Sequence, residues 1–152
     1  MEKIKIKYKN NEIEIQKGTL ILDFLKQNSA TIKDVIVVKI NGKLLDLNSV
    51  IKESGELIEI TFLENEGKEV YWHSTAHIMA SAVKRLFPDV KVTIGPAIEE
   101  GFYYDFDRVK PFTDEDIAVI EKEMQKIIDE EKDFVREEMV KNEAIKLFKK
   151  AS

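Results

Sequence analysis

The sequence predicts an α+β protein built from two domains. Near the N-terminus, apolar residues alternate with charged ones, which is typical of half-buried strands. From Trp72 to Phe87, apolar residues recur instead at the three- and four-residue spacing of an amphipathic helix. The polar, glycine-containing segment 63–69 separates these patterns, so we predict one domain over 1–62 and another over 63–152.

Two strands open the first domain. Apolar residues at 4, 6 and 8 alternate with lysines, and those at 13 and 15 alternate with acids. Lys9-Asn10-Asn11 between them predicts a hairpin turn. A short helix is expected next, with Thr19 as its N-cap and an apolar face formed by leucines and Phe24.

The rest of the first domain completes a sheet for that helix to cover. An apolar strand over 35–40 is closed by Asn41-Gly42, a pair typical of type I′ turns. Leucines at 44, 45 and 47 are expected to pack from a loop, and residues 58–62 alternate as a last strand. The order β-β-α-β-β predicts one helix packed across a mixed sheet, the arrangement of a ubiquitin-like β-grasp domain.

The second domain is predicted to begin with the amphipathic helix, which Pro88 should end. Alternation over 90–94 and 102–106 predicts two paired strands. Thr113 is the expected N-cap of a further helix, because three acids fill its first turn. Phe134 and Val135 predict a short strand, and residues 144–148 a final helix.

Composition and charge exclude several classes of protein. No run approaches the roughly 18 apolar residues of a membrane span, and the N-terminus lacks the apolar stretch of a secretory signal. We therefore expect a cytoplasmic protein. The chain has no cysteine, which excludes disulfides and thiolate metal sites. Its net charge is −5, divided as +1 over 1–62 and −6 over 63–152, which argues against a strongly basic nucleic-acid surface.

His73 and His77 are the only histidines of the chain, and their spacing places both on one face of the predicted helix. Neutral imidazole can accept a proton or bind a metal, so the pair suits hydrolysis or zinc binding. Ser74 stands where the zinc-protease motif requires glutamate, so that motif is absent. Spacing alone favours a structural role, with two partly exposed histidines bonded to nearby backbone.

Tyr104 shares a predicted strand face with Phe102 and Phe106, so its ring should be buried, and core packing is a sufficient explanation. The sequence contains no P-loop, no dinucleotide-binding glycine motif and no serine nucleophile elbow. ATP chemistry is therefore not encoded in these residues.

Two segments together resemble a known family. They are Tyr71-Trp72-His73-Ser74-Thr75-Ala76-His77 and Ile94-Gly95-Pro96-Ala97-Ile98-Glu99-Glu100-Gly101-Phe102-Tyr103-Tyr104-Asp105-Phe106-Asp107. At this separation they resemble the start of the editing domain of bacterial threonine–tRNA ligases. The first domain resembles the TGS domain of that family, which is a β-grasp domain.

The resemblance implies a hydrolytic function. One methyl group separates serine from threonine and discriminates by only about 1–3 kcal/mol, so a second site must remove serine attached to threonine tRNA. His73 and His77 match the family's first histidine motif, and Tyr104 matches a tyrosine near the same pocket. The other residues of that pocket are expected beyond Ser152, so we expect residues 1–152 alone to be inactive.

The resemblance also implies partners and cofactors. Threonine-accepting tRNA is the expected partner of the parent enzyme, which should be a homodimer. ATP and zinc belong to parent domains outside this sequence, so we expect no cofactor or metal within it. Two alternatives remain: the matching N-terminal region of a bacterial nucleoside kinase, and a free-standing module that binds a protein or RNA.

Overall fold

The computed structural model describes residues 1–135 and 137–150. Contacts divide the chain into two compact units, Met1–His73 and Ser74–Ser152. Each unit combines helices with strands, so the predicted α+β class is confirmed. Within the described ranges, no helix has both the length and the apolar character needed to cross a membrane. The predicted domain boundary at residue 62 stays a prediction.

The first unit contains a five-stranded mixed sheet in the order β2-β1-β5-β3-β4. β1 and β5 are parallel, and the other neighbours are antiparallel. Both predicted turns form with positive φ at their two central residues, Lys9-Asn10 and Asn41-Gly42. The elements are β1 (Lys3–Tyr8), β2 (Asn11–Gln16), α1 (Ile21–Asn28), a 3₁₀ turn (Ile32–Asp34), β3 (Val35–Ile40), β4 (Lys43–Leu45) and β5 (Gly55–Thr61).

The core of this unit lies between α1 and the sheet. Ile21, Phe24 and Leu25 of α1 are buried, and the Phe24 ring meets the Tyr8 ring edge to face at 5.5 Å between centroids. Alternate residues of β1 and most residues of β3 supply the other side. The alternation read from the sequence therefore identified the buried face of β1, and the apolar run over 35–40 identified β3 as a mostly buried strand.

Two predictions for the first unit were wrong. Thr19 does not cap α1, because its hydroxyl donates to the Gln16 carbonyl at 2.7 Å. The amides of Ile21 and Leu22 are instead satisfied by carbonyls of the loop over 47–49, at 3.0 and 2.9 Å. The leucine segment predicted as loop contains the short strand β4, which pairs with β3 after the Asn41-Gly42 turn.

The helix predicted from Trp72 onward begins earlier, because residues 65–71 already belong to α2 (Asn65–Leu86). Gly67 lies in this early part of the helix, and a Cβ added there would overlap the Thr61 carbonyl oxygen and lie 3.3 Å from Ile60 Cγ2. The glycine allows the first turn of α2 to pack on the end of β5. The rings of Tyr71 and Trp72 then meet Phe62 at 5.2 and 5.7 Å between centroids.

In its described residues, the second unit combines helices with four strands of two residues each. The predicted strand over 102–106 is split in two, and Phe134 and Val135 are not in a strand. Thr113 caps α3 as predicted, in a reciprocal pair of hydrogen bonds with Asp116. The remaining elements are β6 (Lys91–Val92), β7 (Ala97–Ile98), β8 (Gly101–Phe102), β9 (Phe106–Asp107), α3 (Asp114–Asp129) and α4 (Lys141–Lys150).

Candidate functional site

A cavity of about 470 Å³ lies in the second unit, between one face of α2 and the short strands. The helical wall carries His77 and the residues three, four and seven positions later, which follow one face over two turns. The opposite wall is formed by Val92 and Tyr104. The complete lining is His77, Ala80, Ser81, Lys84, Arg85, Val92 and Tyr104.

Pairing between short segments positions Tyr104 in the cavity wall opposite α2. The Asp105 amide donates to the Ile94 carbonyl at 2.8 Å, which places the segment before β9 beside the segment after β6. The Tyr104 ring stacks on Phe106 at 4.7 Å between centroids and 24° between planes. It is half-buried, whereas the sequence predicted a buried ring. The difference arises because the ring forms a cavity wall and is not enclosed in the core.

His73 lies one helical turn before His77 on α2, and both imidazoles are exposed. Among the residues that the structure describes, the cavity lining includes His77 and not His73. The structure therefore brings His77 and Tyr104 to one cavity, although 26 residues separate them along the chain. The role assigned to each residue from the motifs stays a prediction.

Two cations at the cavity are held in place by different partners. Lys84 Nζ donates to the carbonyls of Pro88 and Val90 at 2.9 and 3.1 Å. The Arg85 guanidinium forms a two-point pair with Glu130, the C-cap residue of α3, at 2.7 and 3.0 Å. Hydrogen bonds from Arg85, and then from Lys132, lower the pKa of Glu130 to about 2. The Arg85 charge is thus matched by a carboxylate, while Lys84 faces neutral carbonyls.

Sequence reasoning missed Ser81, Lys84 and Arg85 as lining residues. Helical periodicity could have found all three, since Ser81, Lys84 and Arg85 follow His77 at i+4, i+7 and i+8 on one helix face. No group of three or more His, Asp or Glu side chains able to hold a metal ion occurs within residues 1–135 and 137–150.

The cavity can support a proton transfer beside an aromatic wall. An exposed imidazole can accept a proton near neutral pH, and the cavity has room for a small polar group next to it. The nearby lysine supplies positive charge. These features suit an anionic or polar substrate whose bond is broken by water.

Comparison with known proteins first identifies the class of the relatives. The relatives of this chain are aminoacyl-tRNA ligases. No protein-family model matches it.

The particular relatives are threonine–tRNA ligases, so the resemblance seen in the motifs is confirmed. The chain is 50% identical over 137 residues to the threonine–tRNA ligase of Caldanaerobacter subterraneus subsp. tengcongensis, a match that covers 90% of this chain. It is 48% identical to that of Desulforamulus reducens over 149 residues, or 97% of this chain. It is also 48% identical to that of Carboxydothermus hydrogenoformans over 147 residues, or 95%.

The chain spans only 21%, 24% and 23% of the lengths of these three relatives. The matched part is their N-terminal region.

Proposed function

We propose that this chain forms the N-terminal region of a threonine–tRNA ligase and contributes to tRNA binding and to the hydrolytic removal of serine from threonine tRNA. One structural observation carries the proposal: His77 and Tyr104, which come from the two distant motif segments, line the same cavity. The similarity to threonine–tRNA ligases over 90–97% of the chain supports the same conclusion.

The two units receive separate roles in this proposal. The first unit is a TGS domain of the β-grasp type, which its helix and mixed sheet support. The second unit is the beginning of the editing domain and supplies His77 and Tyr104, while His73 is the last residue of the first unit and lies one turn earlier on α2. Threonine tRNA is the proposed partner, the cytoplasm the proposed location, and a homodimer the proposed state of the parent enzyme. ATP and zinc are assigned to other domains of that enzyme.

The proposed reaction is hydrolysis of the ester between serine and the terminal ribose. A water molecule attacks the ester carbonyl and gives its proton to an imidazole of the histidine pair. The carbonyl carbon becomes tetrahedral, and its negative oxygen needs hydrogen-bond donors. When the ester bond breaks, the ribose oxygen takes a proton and leaves as a hydroxyl, and free serine is released. Tyr104 forms a wall that limits where the ester can lie.

The alternatives receive less support. The relatives of this chain are ligases, so the nucleoside kinase is not favoured. A free-standing binding module would explain the two folded units, but it would give His77 and Tyr104 no reason to share a cavity.

The test is a chimera in which residues 1–152 replace the matching N-terminal segment of the Caldanaerobacter ligase. The chimera should hydrolyse serine from threonine tRNA, and His73→Ala with His77→Ala should reduce the rate by roughly a hundredfold or more. Charging with threonine should be unchanged.

The matched control is Glu69→Ala, an exposed residue one turn before His73 on α2. It should leave hydrolysis unchanged. Full hydrolysis by the double histidine variant would return both residues to a structural role and contradict the proposal.

A further inference from the structure

A glycine lies against the ring of Tyr104. A Cβ added to Gly95 would overlap Tyr104 Cδ2 and lie 2.6 and 2.8 Å from Cε2 and Cγ of the same ring. These are the three nearest heavy atoms, and all belong to one side chain. Real Cβ atoms essentially never approach other atoms so closely, so the ring and a side chain at position 95 exclude each other.

Backbone conformation does not explain this glycine. The glycines with positive φ are Gly18, Gly42 and Gly101, and Gly95 is not one of them. A Cβ at those three positions would meet nothing within 4 Å. They serve turn geometry, whereas Gly95 serves the close approach of an aromatic ring.

The ring is held from a second direction. Phe106 stacks on Tyr104, and Phe106 itself meets Phe112 at 5.8 Å between centroids. Phe112 contacts Phe87 at 5.7 Å, in the partly buried shell around the core of the second unit. An obstacle at position 95 would therefore displace Tyr104 from its present place on this aromatic support. Its wall of the cavity would move with it.

We propose that Gly95 is a positioning residue: its missing side chain lets the Tyr104 ring lie against the backbone and form the cavity wall that faces α2. The expected effect of Gly95 on hydrolysis rests on the proposed function. The placement of the Tyr104 ring against Gly95 does not. In this proposal Gly95 acts through the Tyr104 ring.

The placement is tested in the full 152-residue chain labelled with 3-fluorotyrosine, whose four tyrosine signals are assigned by single Tyr→Phe changes. Gly95→Ala should shift the ¹⁹F resonance of Tyr104 and leave that of Tyr8, in the first unit, in place. An unchanged Tyr104 resonance would overturn the inference.

The consequence for activity is tested by a double-mutant cycle in the chimera. Gly95→Ala should slow serine hydrolysis on the order of tenfold to a hundredfold, because a displaced wall disturbs the alignment of the ester. In a Tyr104→Ala background, the same change should cost less than twofold, since the ring that it strikes is gone. Equal losses in both backgrounds would overturn the inference. The doubly changed protein also has no steric reason to misfold.

Tyr103→Ala provides the matched control, because this tyrosine directly precedes Tyr104 and is 48% exposed. Gly95→Ala should slow serine hydrolysis by the same factor in the Tyr103→Ala background as in the unchanged chimera. If the unchanged chimera does not hydrolyse serine, the proposed function fails, and the fluorine spectra still decide the placement of Tyr104.

Discussion

The two units of the chain differ in the length of their strands and in how far their side chains are buried. The first unit buries a contiguous core between one helix and strands of three to seven residues. The second has strands of only two residues, and the buried part of its core centres on Ala82, Val83, Val90 and Ile120. His77 and Tyr104, which line the cavity of the second unit, are not buried in that core. A closed core supports a stable scaffold, whereas a reactive site needs polar groups that remain in reach of a substrate.

The largest difference should appear when core residues are truncated. Phe24→Ala in the first unit should lower the free energy of unfolding by about 3–5 kcal/mol, because the ring is almost fully buried. Ile120→Val at the edge of the second core should cost about 0.5–1.5 kcal/mol. Amide hydrogen exchange measures the stability of each unit separately. Equal losses would remove the contrast between a closed and an open core.

The second prediction concerns activity without the rest of the enzyme. Residues 1–152 alone should hydrolyse serine from threonine tRNA at least about a hundredfold more slowly than the chimera, because a missing oxyanion donor costs that much. Release of labelled serine from charged tRNA measures both rates. Hydrolysis by the isolated chain at the rate of the chimera would mean that the second unit contains a complete site.

Gly67→Ala should destabilise the first unit by about 1–3 kcal/mol, because the added methyl group has no space beside the Thr61 carbonyl. Thermal unfolding of the chain followed by circular dichroism measures this. Glu69→Ala, two residues later and exposed, should change stability by less than about 0.5 kcal/mol. A tolerated Gly67→Ala would indicate that α2 can move away from β5.

The boundary of the first unit can be sharpened by comparing residues 1–62 with 1–73. Both should give dispersed amide spectra, because the core cluster lies within residues 4–57. The longer form should be more stable by about 1–2 kcal/mol, since it adds the contacts of Tyr71 and Trp72 with Phe62. Urea unfolding gives the difference. An unfolded spectrum for 1–62 would place the end of this domain inside α2.

The smallest effect concerns Glu59, whose side chain is 10% exposed. Burial acts to raise its pKa, but hydrogen bonds from Ser29, Tyr8 and Lys9 outweigh this effect, so the pKa of the Glu59 carboxyl lies below its ordinary value. The carboxylate therefore stabilises the fold above that value, and the contribution is lost as the pH falls through the lowered pKa.

Tyr8→Phe should raise the pKa of Glu59, because it removes a 2.6 Å hydrogen bond to the carboxylate. Carbon-detected NMR titration of the carboxyl group measures the shift. Tyr71→Phe is the control, and it should not change the titration of Glu59. A Glu59 that titrates alike in the parent chain and in Tyr8→Phe would contradict this account.

The sequence by itself determined the α+β class, both positive-φ turns, the Thr113 cap and the resemblance to threonine–tRNA ligases. These features depend on residues close together in the chain, where periodicity and turn chemistry act directly. The motif residues His73, His77 and Tyr104 were also read from the sequence, as candidates whose roles await the experiments above.

Only the tertiary structure decided where polar groups and glycines find their partners. Thr19 resembles a helix cap, but a loop from residues 47–49 satisfies the helix amides in its place. Gly67 lies in the segment where a domain boundary was predicted, yet it makes space for the Thr61 carbonyl, and Gly95 makes space for the Tyr104 ring. Such contacts depend on which surfaces meet after folding, and local patterns do not contain that information.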